Sequence, residues 1–80
     1  MDYDLRNYSP ADVEKIFAIC SFDEQTQGIL RLRFGLESGI PLSLEEVGIL
    51  LDLTREQVRK IEARAMSIIG AITLRDWNRR

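Results

Sequence analysis

The sequence predicts an all-α fold: a compact domain of four to five helices that contains a helix-turn-helix. Three observations carry that prediction. Ser43 with Glu46, and Thr54 with Gln57, set a hydroxyl residue three positions before Glu or Gln, the spacing of a capping box that starts a helix. Apolar residues recur along the chain at intervals of three and four, as they do on one face of a helix. Gly48 and Asp52 stand between the two capping boxes. There a helix crossing needs a residue without a Cβ, and a tight turn needs one that accepts positive φ.

Residues 1–8 hold Tyr3, Leu5 and Tyr8 among acids and are expected to be loosely held. Ser9 and Pro10 start the first helix, with the hydroxyl at the cap and Pro at the first helical position, where its missing N–H costs nothing. Asp12 and Glu14 then suit the positive end of the helix dipole. Val13, Ile16, Phe17 and Cys20 make one apolar stripe, so this helix covers about residues 10–20. Asp23 caps the second helix, Glu24 stands in its first turn, and Thr26, Ile29, Leu30 and Phe34 share a face. Gly35 is its stop. Gly28, inside it, weakens the helix by about 1 kcal/mol relative to Ala, which points to close packing against a neighbour. E-S-G-I-P-L, residues 37–42, reads as a loop broken by Gly39 and Pro41.

The helix-turn-helix follows over about residues 44–69. Leu42 can pack on Val47 and Leu53 on Val58 as hydrophobic staples, and Leu51, Leu53, Val58 and Ile61 form the seam between the two helices. The last helix continues past Arg64, with Val58, Ile61, Ala65, Ile68 and Ile72 as its inner stripe. Leu74 and Trp77 are placed to close the domain against the first helix. At about 100° per residue, Glu56, Arg59, Lys60 and Ala63 lie opposite that stripe, with Arg55 at its edge. All of residues 1–80 are expected to form a single domain.

Composition narrows the function. No run of about eighteen apolar residues occurs, so nothing reads as a membrane span. The acidic start M-D-Y-D-L-R-N-Y does not read as a secretory signal, and a cytoplasmic location is expected. The chain has one cysteine and no histidine, so an internal disulfide and the usual zinc and Cys–His catalytic sets are excluded. No enzyme activity, metal or cofactor is expected. Cys20, beside Ile16, Phe17 and Ile19, reads as a small buried apolar residue. The net charge is −2, but it is divided unevenly. Residues 1–24 hold six acids and two bases, residues 25–53 four and two, and residues 54–80 three and seven. The positive field is therefore concentrated on the second helix of the pair and the tail after it, and local field rather than total charge steers a polyanion. The low total still predicts weak nucleic-acid binding by this chain alone.

R-L-R-F-G-L at Arg31–Leu36, L-E-E-V-G at Leu44–Gly48 and L-T-R-E-Q-V-R-K-I-E-A-R-A at Leu53–Ala65 together resemble region four of bacterial RNA polymerase sigma factors of the primary type. L-R-D-W at Leu74–Trp77 resembles the family's closing L-R-D-F, and the likeness covers about residues 10–77. It implies a helical bundle that docks on the flap of the polymerase β subunit and lays its recognition helix in the major groove of the minus-thirty-five promoter element. It places Arg55, Glu56, Arg59 and Lys60 at base- and backbone-contacting positions, with Lys60 in place of the usual Gln. Leu44 and Glu45 fall where the family touches the DNA backbone, and Arg31 and Arg33 match arginines that flank phosphate. The chemistry agrees: an arginine fork can be bidentate to guanine, a glutamate can accept from cytosine N4, and helix N-termini offer N–H groups to phosphates. The same residues also suit a plain solvated helix face, with Glu56 serving the helix N-terminus or pairing with Lys60 four residues on.

The chain departs from the family's pattern in several places. Ser67, Ile68 and Gly70 stand where basic residues are usual, Ile49-Leu50-Leu51 replaces a polar stretch, Gln25 replaces a common Arg, and the Pro-containing break before L-R-D is missing. Ile49, Leu50, Ile68, Ile69 and Ile72 would form a protein-binding surface if exposed. The favoured expectation is that the long last helix folds back on the first and buries most of them. Two functions follow. One is recognition of promoter DNA in transcription initiation, with RNA polymerase, and an activator or anti-sigma protein, as partners. The alternative is a sigma-like, phage-type module that binds polymerase or a sigma partner and regulates transcription without reading DNA strongly. Arg55, Glu56, Arg59 and the two capping boxes favour the first. An unrelated helix-turn-helix repressor would need a dimerisation segment that is not evident.

Overall fold

The computed structural model describes the backbone of residues 5–77 and the side chains of residues 5–72. Within them a 3-10 turn, Leu5–Asn7, precedes four α-helices: α1 (Pro10–Cys20), α2 (Glu24–Phe34), α3 (Leu44–Leu51) and α4 (Arg55–Trp77). The all-α fold and the continuous last helix are as the sequence predicts.

The helix ends follow local chemistry. Ser9 Oγ accepts the Asp12 N–H at 3.1 Å, and the Asp23 carboxylate accepts the Thr26 N–H at 2.8 Å. Hydrogen bonding from the Thr26 side chain, and secondarily from its N–H, holds the Asp23 carboxyl below its ordinary range. At the other ends Ser21 (φ 55), Gly35 (φ 60) and Asp52 (φ 57) close α1, α2 and α3 in the left-handed region. Gly35 has no substitute there: an added Cβ would lie 2.6 Å from the backbone carbon of Ile40.

Two apolar clusters make the core. The first joins Leu5, Val13, Ile16, Phe17, Leu30, Ala65 and Ile69, and so packs α1 against α2 and the later half of α4. The second joins Ile29, Val47 and Val58, with Leu42, Leu44, Leu51, Leu53 and Ile61 around them, and lies under the α3–α4 pair. Ile29 and Leu30 are successive residues, yet they serve different clusters because neighbours on a helix point about 100° apart. α4 contributes to both, so it ties the helix-turn-helix to the rest of the bundle.

The structure corrects three expectations. The N-terminal stretch is not loose throughout: Leu5 is fully buried in the first cluster and Tyr8 packs against it. The acids around them suggested solvation, but the 3-10 turn carries Leu5 onto the bundle. Tyr3 lies outside the described residues, as do the side chains of Leu74 and Trp77. On α4 the buried isoleucine is Ile69 and not Ile68, which is 37% exposed. Counted from Val58, Ile69 returns to within about 20° of the same direction, whereas Ile68 lies about 80° away. Burial by the last helix therefore reaches Ile69 and half of Ile72, while Ile49 and Leu50 stay 74% and 63% exposed. Among the described residues, no helix is long and apolar enough to cross a membrane.

Gly28 is the third correction. Beyond its chain neighbours and the backbone of its own helix, no atom lies within 4 Å of the position its Cβ would take, so close packing against a neighbour is not why it is there. Gly28→Ala is expected to stabilise the domain by about 1 kcal/mol, because alanine restricts the unfolded chain and favours helix. Urea unfolding should show a higher midpoint at unchanged slope; a lower midpoint would reveal a contact at that position.

Candidate nucleic-acid interface

The α3–α4 pair is built by its capping boxes and its turn. Ser43 Oγ accepts the Glu46 N–H at 3.1 Å, and the Glu46 carboxylate accepts the Ser43 N–H at 2.8 Å. Thr54 and Gln57 repeat the exchange at 3.0 and 2.8 Å. These bonds occupy the cap and third-position N–H groups. The N–H groups of Leu44 and Glu45, and of Arg55 and Glu56, are left pointing out of the two helix starts, where the helix dipole favours an anion. Between them Asp52 takes the left-handed turn, and the Leu53 N–H returns to the Gly48 carbonyl at 2.8 Å. The turn crosses directly over Gly48, where a Cβ would stand 2.6 Å from the Leu53 carbonyl oxygen.

Arg55, Glu56, Arg59 and Lys60 are all exposed on the outer side of α4. Glu56 pairs with Arg59, three residues on, and not with Lys60 as the four-residue spacing suggested. The Arg59 Nε donates to both Glu56 carboxylate oxygens at 2.8 and 3.1 Å, and Nη2 donates to the same carboxylate. That bond holds the Glu56 carboxyl below its ordinary range, with smaller help from the charges of Arg59, Lys60 and Arg55, and it raises Arg59. Glu45 is exposed at the start of α3. The Leu44 side chain turns inward onto the second cluster, so its backbone N–H is the part that faces a ligand.

The remaining two arginines are engaged within the fold. Arg31 donates to Glu14 on α1, and its guanidinium lies 5.2 Å from the centre of the Phe17 ring. Arg33 donates through Nε to Glu62 of α4 at 2.7 Å and through Nη1 to the Leu42 carbonyl at 2.6 Å. The Leu42 N–H in turn donates to the Leu32 carbonyl at 3.1 Å. Arg33 thus fastens α2, the loop before α3 and α4 together, and helps set the angle at which the helix pair is held. Local spacing could not reveal these partners, because Glu14 and Glu62 lie 17 and 29 residues from their arginines.

Arg64 is a further exposed base, one turn beyond Lys60, that the sequence reading passed over. The i,i+4 spacing from Lys60 was the available signal. Both line a groove of about 450 Å³ between the start of α2 and the middle of α4, whose other walls include Phe22, Gln25, Ile61 and Ile68. Among the described residues no group of His, Cys, Asp and Glu is assembled as metal ligands would be. What the surface offers is donors: four exposed bases among the described residues of α4, Arg55, Arg59, Lys60 and Arg64, beside two capped helix starts.

Comparison with known proteins identifies the family. The family model for Sigma-70, region 4 matches residues 18–68. The RNA polymerase sigma factor SigA of Nostoc sp. is 39% identical over 61 residues, which cover 76% of this chain and 15% of that protein. The RNA polymerase sigma factor SigA of a Bacillus species is 51% identical over 43 residues, 54% of this chain and 11% of that protein. The chain therefore corresponds to a small part of the length of these relatives.

Proposed function

The chain belongs to the sigma-70 region 4 family, and on that premise we propose that it acts in transcription initiation by binding the minus-thirty-five promoter element. The observation that carries this reading is the exposed row of Arg55, Arg59 and Lys60 on α4, set beside two helix starts with N–H groups to spare. α4 enters the major groove, where an arginine fork suits guanine O6 and N7 and Lys60 adds a point charge. The starts of α3 and α4 hold phosphates, with Leu44 and Glu45 contributing through the backbone. Arg31 and Arg33 are tied to carboxylates on other helices and so fasten the fold, which makes them weaker candidates for a phosphate contact than the bases on the open face of α4. Docking on the polymerase β flap is supported by the family relationship, and we assign it to the groove lined by Phe22, Ile61 and Ile68. Activators and anti-sigma proteins are the further partners that this relationship suggests.

The test is binding to a short duplex carrying a minus-thirty-five-like hexamer, against a scrambled duplex, at several salt concentrations. Preference for the hexamer is expected, with a logarithmic salt slope that reflects a few phosphate contacts. Arg59→Ala should cost roughly 1–3 kcal/mol of hexamer binding and relax the preference at one base pair. An equal loss on every sequence would reduce Arg59 to a phosphate contact. Equal, feeble binding of the parent protein to both duplexes would favour a second reading, a sigma-like module that binds a protein partner. The high exposure of Ile49 and Leu50 supports that reading, and the β flap would be the next ligand to try.

A further inference from the structure

We propose that the outer face of α3 is a docking surface for a basic amphipathic helix of another protein. The inference stands whether or not α4 reads DNA, and it gives the exposed pair on α3 an occupant of definite chemistry. α3 turns Val47 and Gly48 to the core and leaves Glu45, Glu46, Ile49 and Leu50 exposed. Ile49 and Leu50 are successive residues, 74% and 63% exposed, whereas Ile19, Ile40 and Ile68 are each exposed singly, on α1, in the loop before α3 and on α4. Single exposed aliphatic side chains are ordinary on a protein surface. A contiguous pair on one short helix gives an apolar anchor somewhere to sit.

Charge chooses the occupant. Glu46 Oε1 accepts the Ser43 N–H and is committed to the cap. Glu45 stands one turn before Ile49, and Asp52 closes the helix after Leu51. Among the described residues no base bonds to the Glu45 or Asp52 carboxylate, and α3 carries no base of its own. Acids beside the apolar pair repel a polyanion. A second copy set face to face would bring acid to acid, because both sides of a two-fold contact present the same patch. α3 has eight residues and is about 12 Å long, so its face falls well short of the roughly 800 Å² a side that a stable folded interface covers. A short segment fits it. Glu45 and Asp52 are seven residues apart, close to two helical turns. Two bases at the same separation on a partner helix lie on one face and reach both acids, while aliphatic side chains between them cover Ile49 and Leu50. The apolar pair then supplies most of the affinity, and the acids select the sign of the partner.

The probe is a fluorescent helical peptide with arginines about seven residues apart and leucines between them, titrated with the full chain and followed by anisotropy. Saturable binding is expected, together with no binding of the same peptide carrying glutamates for arginines. The double substitution Ile49→Gln and Leu50→Gln leaves charge unchanged and should weaken binding about tenfold or more. Asp52→Asn keeps a residue that accepts the left-handed turn and should weaken it a few-fold, an effect that added salt removes. All three changes are at exposed positions, so melting temperatures close to the parent's are expected and confirm that the variants are folded. Hexamer binding by the Ile49→Gln, Leu50→Gln variant should match the parent's. No saturable binding up to about 1 mM peptide, or binding that the double substitution leaves unchanged, would overturn the proposal. Self-association of the parent that the double substitution abolishes would make a second copy the occupant, and loss of hexamer binding would make this face part of the DNA surface; either overturns it. A parent that shows no preference for the hexamer counts against the DNA-reading role alone.

Discussion

Gly48→Leu is expected to lower the stability of this domain by roughly 2–4 kcal/mol, through overpacking where α3 and α4 cross. The Leu53 carbonyl oxygen would stand 2.6 Å from the first added carbon, and it is backbone that cannot swing aside. Its own residue is tied back to Gly48 by the 2.8 Å bond from the Leu53 N–H. Relief requires α4 to move away from α3, which opens the cluster of Val47 and Val58 and misaligns the two helix starts. Small domains have roughly 5–15 kcal/mol in total, so the melting temperature should fall by about 10 °C or more. Hexamer binding should fall with it. An unchanged melting temperature would sink the assignment of Gly48 as the crossing point.

Phe17→Ala should be costlier still, at about 3–5 kcal/mol. Phe17 is 1% exposed, meets the Phe22 ring edge-on at a centroid distance of 5.9 Å, and lies under the Arg31 guanidinium. Truncation leaves a cavity that α1 and α4 cannot close without shifting. The informative readout is where the damage is felt. Phe17 lies in the first cluster, far along the chain from the helix-turn-helix, but Val58 and Ala65 on the same helix serve different clusters. If the two clusters unfold as one unit, amide exchange at Val47 and Val58 should quicken as much as exchange in α1. Protection retained at Val47 and Val58 while α1 loses it would show two separately folding halves. That outcome would also divide the single domain that the sequence led us to expect.

Local features of the sequence carried most of the fold. A capping box is a contact between residues three apart, so Ser43 with Glu46 and Thr54 with Gln57 could be read before any packing was known, and both form. Gly35 and Asp52 mark left-handed ends for a similarly local reason, the backbone conformation their side chains permit. The α3–α4 seam was legible because Leu51, Leu53, Val58 and Ile61 all fall within eleven residues. The Sigma-70, region 4 family was legible too, because its motifs lie on these same short stretches.

What spacing could not settle was which of several helical neighbours a side chain chooses. Glu56 has Arg59 three residues on and Lys60 four residues on, and only the rotamers on α4 put it with Arg59. Ile68 and Ile69 are adjacent and equally apolar; the count of 100° per residue from Val58 favours Ile69, and packing of α4 on the first cluster buries it. Gly28 looked like a packing residue, but the space beside α2 at that point is open.

By itself, then, the sequence determined where helices begin and end, which faces are apolar, and that bases gather on the last helix. Each of these rests on interactions between residues within about one helical turn, or on charge counted along the chain. The tertiary structure alone decided that Leu5 belongs to the core, that Glu14 and Glu62 hold Arg31 and Arg33, and that Ile49 and Leu50 face outward. Those outcomes depend on which elements become neighbours in space, and chain separation carries no record of that. The division has a functional side: of the six charged α2 and α4 residues that the family resemblance places at DNA, Arg31 and Arg33 are held by carboxylates of other helices, while Arg55, Glu56, Arg59 and Lys60 stand on the open face of α4.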